Sequence, residues 1–161
     1  MRRALVAAAL LLWGSAAFAG PCPGPRSATR FEFSGDEARD TTTGLVWRRC
    51  ALGADWASGA CAGEAKRFDH DSAIEAARAL GADWRLPTIN ELFYLVDSSC
   101  AGRPLDSEAF PDVVPDAEGN AAFWSLTPAD EGMFGAVDFV AGVTDEHSPG
   151  LFYQVLAVRG P

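Results

Sequence analysis

The sequence predicts a small α+β domain, with two helices packed on one side of a small, mainly antiparallel sheet. Three observations carry this prediction. Two segments in the first half have helical periodicity, short strand-like segments lie at both ends of the chain, and the connections between them are long and polar. Residues 30–161 are expected to form a single domain, since this length can bury a core of its own.

The first segment in chain order, residues 1–19, has the pattern of a secretory signal peptide. Arg2 and Arg3 precede a short apolar run, and the Ala17-Phe18-Ala19 motif suits a cleavage site. The run is too short for a comfortable membrane span, and no later stretch is long and apolar enough to form one. We therefore expect a periplasmic or secreted protein in which residues 20–29 are a linker; a retained N-terminal anchor is the alternative.

The charge balance is acidic, with a formal net charge of −9 at pH 7. Lys66 is the only lysine, and removal of the signal peptide would take away two arginines and no acid. Such a surface argues against binding of nucleic acid or other polyanions by bulk electrostatics. It is compatible with cation binding or with a basic partner.

Four cysteines follow the signal peptide, which predicts two disulfides with three alternative pairings. Cys50 and Cys61 enclose a glycine-containing loop, so a local bridge between them is favoured and leaves Cys22 with Cys100. Zinc binding is the competing interpretation. No cysteine pair has the C-x-x-C spacing and both histidines lie far from them, so no metal site is predicted.

In the first half, strands are predicted at residues 30–33 and 45–48, with a polar turn at 36–40 and a loop at 51–67. The first helix should cover residues 68–80, with Ser72 and Glu75 as a capping box. The second should cover residues 89–97 and begin at a Thr88–Glu91 capping box directly after Pro87.

In the second half, a long acidic loop is predicted at residues 101–121, with Phe110 inserted into the core. Strands should follow at residues 123–126, 136–140 and 153–159. The loops at 101–121 and 127–150 are the surfaces where we expect binding.

Six short motifs occur in a characteristic order. The longest are DTTTGLVW at residues 40–47 and DWRLPTINEL at 83–92, followed by FP at 110–111, FWS at 123–125, VDF at 137–139 and VRG at 158–160. Together they resemble the Lcl C-terminal domain family, a bacterial extracytoplasmic domain named after a Legionella collagen-like adhesin. The resemblance implies a C-type-lectin-like fold and an adhesive or glycan-binding role. The RLPT stretch is also similar to that of formylglycine-generating enzymes.

Residues predicted to serve the structure belong mostly to these motifs. A charged side chain between apolar neighbours must be paired, so Arg85 should pair with Asp138 or with a backbone carbonyl. Glu91 is explained as a capping carboxylate rather than an acid–base catalyst. The full structural set is Trp47, Trp84, Arg85, Thr88, Glu91, Trp124, Asp138 and Arg159.

Candidate ligand-binding residues lie in the loops. Trp56 and Phe134 adjoin glycine-rich turns and could stack on a sugar, although a loop-anchoring role is the simpler alternative. Asp112 and Asp116 belong to a loop with enough oxygen ligands for Ca²⁺, although a solvated acidic loop explains them as well. We therefore predict no obligate cofactor, with Ca²⁺ as the candidate ion.

No catalytic residues are predicted. Ser125 lies outside a G-x-S-x-G motif, and His70 and His147 are expected at the surface. The sequence thus favours a non-catalytic binding or adhesion module of the cell envelope, whose partner is a surface glycan or an envelope protein. The alternatives are an enzyme or enzyme accessory on a formylglycine-generating-enzyme-like scaffold, and a purely structural envelope domain.

Overall fold

A computed structural model describes residues 30–81, 83–97 and 105–160 of the chain. The predicted signal peptide, the linker, Cys22 and Cys100 lie outside these residues. The described part is α+β, as predicted, with two α-helices and antiparallel strand pairs in sheets of four, two and three strands. None of its helices has the length and apolar character needed to cross a bilayer.

The four-stranded sheet joins the two ends of the domain. Its strands are β1 (Phe31–Ser34), β2 (Glu37–Asp40), β3 (Val46–Arg48) and β9 (Val158–Arg159), in the order β1-β2-β3-β9. Alternation along these strands places one set of side chains, including Trp47 and Val158, in the core. Most of the charged side chains, among them Glu32, Glu37 and Arg159, lie on the opposite face.

The prediction of a polar turn at residues 36–40 was wrong, because β2 occupies most of it. Ala38 is fully buried opposite Trp47, and Asp40 is buried where its carboxylate accepts hydrogen bonds from Arg30 at 3.0 and 2.8 Å. A buried carboxylate needs such a partner, and the partner precedes β1 in the chain. The turn itself is short and uses Gly35 at φ 61°.

The predicted loop at residues 51–67 contains a hairpin of β4 (Asp55–Ala57) and β5 (Ala60–Ala62). The predicted Cys50–Cys61 bridge is confirmed, with an S–S distance of 1.99 Å, and it ties this hairpin to the end of β3. The predicted pairing of Cys22 with Cys100 lies outside the described residues and stays a prediction.

Removing this bridge should lower the stability of the domain. We expect the Cys50→Ala/Cys61→Ala variant to lose about 2.8 kcal/mol of unfolding free energy, the value for a loop closed over a sequence separation of 11 residues. Urea unfolding followed by tryptophan fluorescence measures the loss. An unchanged midpoint would mean that the bridge does not stabilise the domain.

The helices are shorter than predicted. Helix α1 covers His70–Ala79 and α2 covers Ile89–Tyr94. The Ser72–Glu75 capping box does not form, because Asp69 is the N-cap and its carboxylate accepts the Ser72 N–H at 2.9 Å. Phe68 lies outside the helix, where its backbone pairs with that of Tyr153. The capping box between Thr88 and Glu91 is confirmed.

The three-stranded sheet has the order β6 (Ala122–Pro128), β7 (Phe134–Asp138) and β8 (Val143–His147). Strand β8 was not predicted, because its side chains are nearly all exposed and show no apolar alternation. The long predicted C-terminal strand is also reduced. Of the predicted residues 153–159, only Val158 and Arg159 form a strand, which is β9. Tyr153 and Gln154 form isolated bridges to Phe68 and Phe123.

Two apolar cores form on either side of the β6–β8 sheet. One contains Phe110, Phe123 and Leu92 together with the inner face of the four-stranded sheet. The other contains Trp124 and the small residues Ala73 and Ala77 of α1. The predicted insertion of Phe110 into the core is confirmed, since only 1% of its surface is exposed.

Candidate functional site

The stretch from Trp84 to Glu91 forms a structural junction. Arg85 donates two hydrogen bonds to the Glu91 carboxylate, at 2.8 and 2.7 Å, so its charged partner is Glu91 and not Asp138. The predicted alternative, a hydrogen bond to a backbone carbonyl, also forms, to Leu86 at 3.3 Å. The same carboxylate accepts the Thr88 N–H at 2.7 Å. The Arg85 backbone exchanges two hydrogen bonds with Val158, at 2.9 and 3.0 Å, which connects the start of α2 to β9.

Glu91 therefore has two structural roles, and both require its charge. Burial opposes ionisation and is the largest single influence on its pKa. Taken together, the hydrogen bonds from Arg85 and Thr88 have a larger effect than burial, and they lower the pKa below its ordinary value of 4.5. We expect Glu91→Ala to lower the unfolding free energy by about 2 kcal/mol at neutral pH, through loss of the cap and of a charged pair.

This stabilisation should depend on pH in a defined direction. Because the pKa of Glu91 is lower in the folded state, its contribution is complete above its ordinary value of 4.5 and is lost as the pH falls through the lower folded value. Urea unfolding of the parent and Glu91→Ala proteins at neutral and acidic pH tests this. The difference between them should shrink in acid; a difference that is constant with pH would show that the charge is irrelevant.

The remaining predicted structural residues also make internal contacts. Trp47, Trp84 and Trp124 are buried. Arg159 donates to both carboxylate oxygens of Glu37 at 2.8 Å, and its guanidinium lies 5.1 Å from the Trp84 ring centroid. Asp138 instead accepts backbone N–H groups of the following turn, including that of Val140 at 2.7 Å.

The two aromatic candidates for sugar stacking each have a face covered by the protein itself. The Arg49 guanidinium lies 3.7 Å from the Trp56 ring centroid, and it also lies over Phe33. Phe134 stacks on the His70 imidazole at 3.5 Å. Both rings are half-buried and anchor loops or strands to their neighbours.

The two acidic candidates are likewise engaged. Asp112 accepts the Ala51 N–H at 2.9 Å, and burial raises its pKa. Its carboxylate lies near Cys50 and Cys61, whose sulfurs are in the disulfide and so are not thiolate ligands. Asp116 accepts the Asn120 N–H at 2.8 Å and pairs with Arg67, and these contacts lower its pKa.

His70 is fully buried, which corrects the prediction of a surface histidine. Its Nε2 lies 2.9 Å from the Ser125 carbonyl oxygen and must donate to it, since a carbonyl only accepts. The Ser125 hydroxyl donates to the Gly135 carbonyl at 2.7 Å. His147 is half-buried, and its Nε2 lies 3.7 Å from the Asp145 carboxylate. These contacts give each group a structural role.

A groove of about 350 Å³ lies where the start of α2 meets the β6–β8 sheet. We refer to it as the α2–β8 groove. Gly135 forms part of its floor: a Cβ there would lie 3.1 Å from Ile89 Cδ1, so the missing side chain leaves the space between helix and sheet. Its lining residues are Ile89, Thr127, Pro128, Ala129, Gly135, Thr144, Asp145 and Glu146.

The strand register shows which acid of β8 faces this groove. Glu146 pairs with Gly135 and therefore points to the same side of the sheet as the groove. Asp145 pairs with Ala136 and therefore points to the opposite side of the sheet, where its carboxylate lies 3.7 Å from His147 Nε2; its Oδ1 also accepts the Glu146 N–H at 2.8 Å. Sequence reasoning identified the region 127–150 but none of these residues; the exposed Thr-Asp-Glu run at 144–146 was the available signal.

Comparison with models of known protein families identifies a match. The sequence model of the Lcl C-terminal domain family matches residues 36–159. This range is most of the chain and includes both helices and all the strands described above except β1. No curated protein matches it. The six motifs also occur in order within the matched range. The chain therefore belongs to the Lcl C-terminal domain family.

Proposed function

We propose that the protein is a non-catalytic binding or adhesion module of the cell envelope, with a C-type-lectin-like fold. Membership of the Lcl C-terminal domain family carries this proposal, because it points to an adhesin-like envelope module. The Cys50–Cys61 disulfide supports a periplasmic or secreted location, since disulfides persist in oxidising compartments. The ligand is a surface glycan or an envelope protein.

Several contacts favour this function over the enzymatic alternative. A formylglycine-generating mechanism would require reactive cysteines, whereas Cys50 and Cys61 are oxidised to each other. His70 and Ser125 bond to backbone carbonyls and are buried, so neither is presented to a substrate. The α2–β8 groove, by contrast, has a volume suited to a ligand and lies open at the surface.

The candidate role of Ca²⁺ receives little support from the loop acids. Asp112 and Asp116 already accept backbone or arginine hydrogen bonds, which would have to be given up for coordination. We therefore expect recognition without an obligate metal ion.

Binding to a glycan array and to isolated envelope proteins, each with Ca²⁺ and with a chelator, tests the proposal. We expect saturable binding to one of these ligand classes, at equal strength in both conditions. Loss of binding in the presence of the chelator would show that binding requires Ca²⁺. Absence of binding to both classes would instead support a purely structural envelope domain.

A further inference from the structure

The Cys50–Cys61 bridge has a partly buried carboxylate beside it. The two sulfurs and one oxygen of the Asp112 carboxylate lie within 4.8 Å of one another. The Asp112 Oδ2 accepts the Ala51 N–H at 2.9 Å, whereas its Oδ1 is buried without a hydrogen-bond partner in the described part of the chain. Because Ala51 directly follows Cys50, this hydrogen bond holds the carboxylate next to the bridge.

The burial of this carboxylate is not offset by an ion pair. Glu37, Asp40 and Glu91 are each paired with an arginine. Asp112 has no ion pair among the described residues, so burial raises its pKa and backbone N–H groups oppose this rise only in part. A carboxyl group in such a setting exchanges protons more readily than one held ionised by a cation. Its neighbours in the cluster that can carry a proton are the two cysteines, once their bridge is open.

The two sulfurs of the bridge differ in access to solvent. Cys50 is 1% exposed, whereas Cys61 is half-buried between two exposed residues of β5. Trp56 is the cross-strand partner of Cys61, and the Arg49 guanidinium lies 3.7 Å from the centroid of its ring. This cation favours the approach of a thiolate. An external sulfur should therefore meet Cys61 first and leave Cys50 as the inner sulfur.

We propose that the Cys50–Cys61 bridge is a site of thiol–disulfide exchange, in which an external thiol joins Cys61 and Asp112 exchanges a proton with Cys50. To close the bridge, the Cys61 thiolate attacks an external disulfide, forms a mixed disulfide and releases one external thiolate. The Asp112 carboxylate then takes the proton of the Cys50 thiol, and the Cys50 sulfur attacks Cys61 Sγ. The bond to the external sulfur breaks, and its electron pair leaves on the second external thiolate. Two protein thiols are oxidised and one external disulfide is reduced to two thiols; opening by two external thiols is the reverse.

Dithiobisnitrobenzoate, an aromatic disulfide that releases a coloured thiolate, tests the proposal on the reduced full chain. Cys22 and Cys100 are replaced by serine, so that the colour comes from Cys50 and Cys61 alone. One thiolate is released when the mixed disulfide forms, and a second when the bridge closes. The closing step is identified by a rate that does not depend on the reagent concentration. Circular dichroism checks that each variant is folded.

Two single-cysteine variants show which sulfur the external group joins. We expect Cys61 in the Cys50→Ala variant to react about tenfold faster than Cys50 in the Cys61→Ala variant, because a buried thiol meets the reagent only through local opening. Equal rates, or a faster reaction of Cys50, would overturn the proposal.

Asp112→Asn tests the proton transfer, since it keeps the size of the side chain and an oxygen that can accept the Ala51 N–H. We expect it to slow closure about tenfold at about pH 6. At about pH 9.5 its rate should lie within about twofold of the parent rate, because a free thiol, with a pKa of about 8.5, ionises there without a base.

Asp106→Asn is the matched control. Asp106 lies in the same loop, accepts backbone N–H groups and also has a buried carboxylate oxygen without a partner in the described residues, but it lies outside the sulfur cluster. Its closure rate should stay within about twofold of the parent rate. Equal slowing in both variants, no slowing in Asp112→Asn, or slowing that is constant with pH would each overturn the proposal. Neither step involves the ligand of the module, so such a failure would leave the proposed function standing.

Discussion

Trp124→Ala is expected to lower the free energy of unfolding by about 4 kcal/mol, close to the limit that a small domain tolerates. Trp124 is fully buried and its indole N–H donates to the Phe68 carbonyl at 2.8 Å. Its ring meets His70 edge-on at 5.2 Å and Tyr153 at 4.8 Å. Truncation would therefore leave a cavity, an unpaired carbonyl and an unsupported buried histidine.

Urea unfolding measured by circular dichroism gives this value without relying on the lost tryptophan. Phe152→Ala is the control, since Phe152 is 58% exposed and lies beside Tyr153 in the chain. We expect it to change the unfolding free energy by no more than about 0.5 kcal/mol. A Trp124→Ala loss as small as that of the control would mean that this core does not require its central ring.

Phe110→Ala is expected to cost about 4 kcal/mol as well, for a different reason. Phe110 is the anchor of a long loop, and its ring meets Phe31 at 5.7 Å and Trp47 at 6.2 Å, each nearly perpendicular. The loop otherwise consists largely of turns. Loss of the anchor should both destabilise the domain and release residues 105–121 from its surface.

Two measurements separate these effects. Urea unfolding gives the stability change, and limited proteolysis under native conditions reports release of the loop. The matched control is Phe93→Ala, because Phe93 has the same side chain but is 45% exposed on α2. Rapid cleavage of the Phe110→Ala protein is expected, and cleavage at the parent rate would show that the loop is held by its polar turns alone.

Parts of this fold were accessible from sequence because their signals are local. The Thr88–Glu91 capping box needs only four consecutive residues, and Cys50 and Cys61 close a short loop. Strand β1 was predicted from the alternation of apolar and polar residues, and the insertion of Phe110 from the apolar character of its side chain. These features do not depend on knowing what lies across the core.

The errors occurred where a distant partner decides the structure. Strand β2 looked like a turn because its buried Asp40 is acceptable only beside Arg30. His70 looked exposed because the carbonyl that accepts its N–H comes from Ser125, far along the chain. Strand β8 had no apolar pattern, since it lies at a sheet edge with exposed side chains.

The candidate site was predictable only as a region. The loop at 127–150 was identified from its length and polarity, whereas the groove depends on the missing side chain of Gly135 beneath Ile89. Trp56 and Phe134 were chosen as exposed rings, but Arg49 and His70 cover one face of each. Such coverage arises from tertiary packing and leaves no sequence motif.

The acids of β8 have a consequence for solubility. An unpaired outer strand is a template on which further chains can add, and proteins guard such strands with charge. Two copies meeting antiparallel around Asp145 would bring like charges together, and the Glu146 N–H is already occupied by Asp145. The carboxylates of β8 should therefore keep the protein from growing into intermolecular sheets.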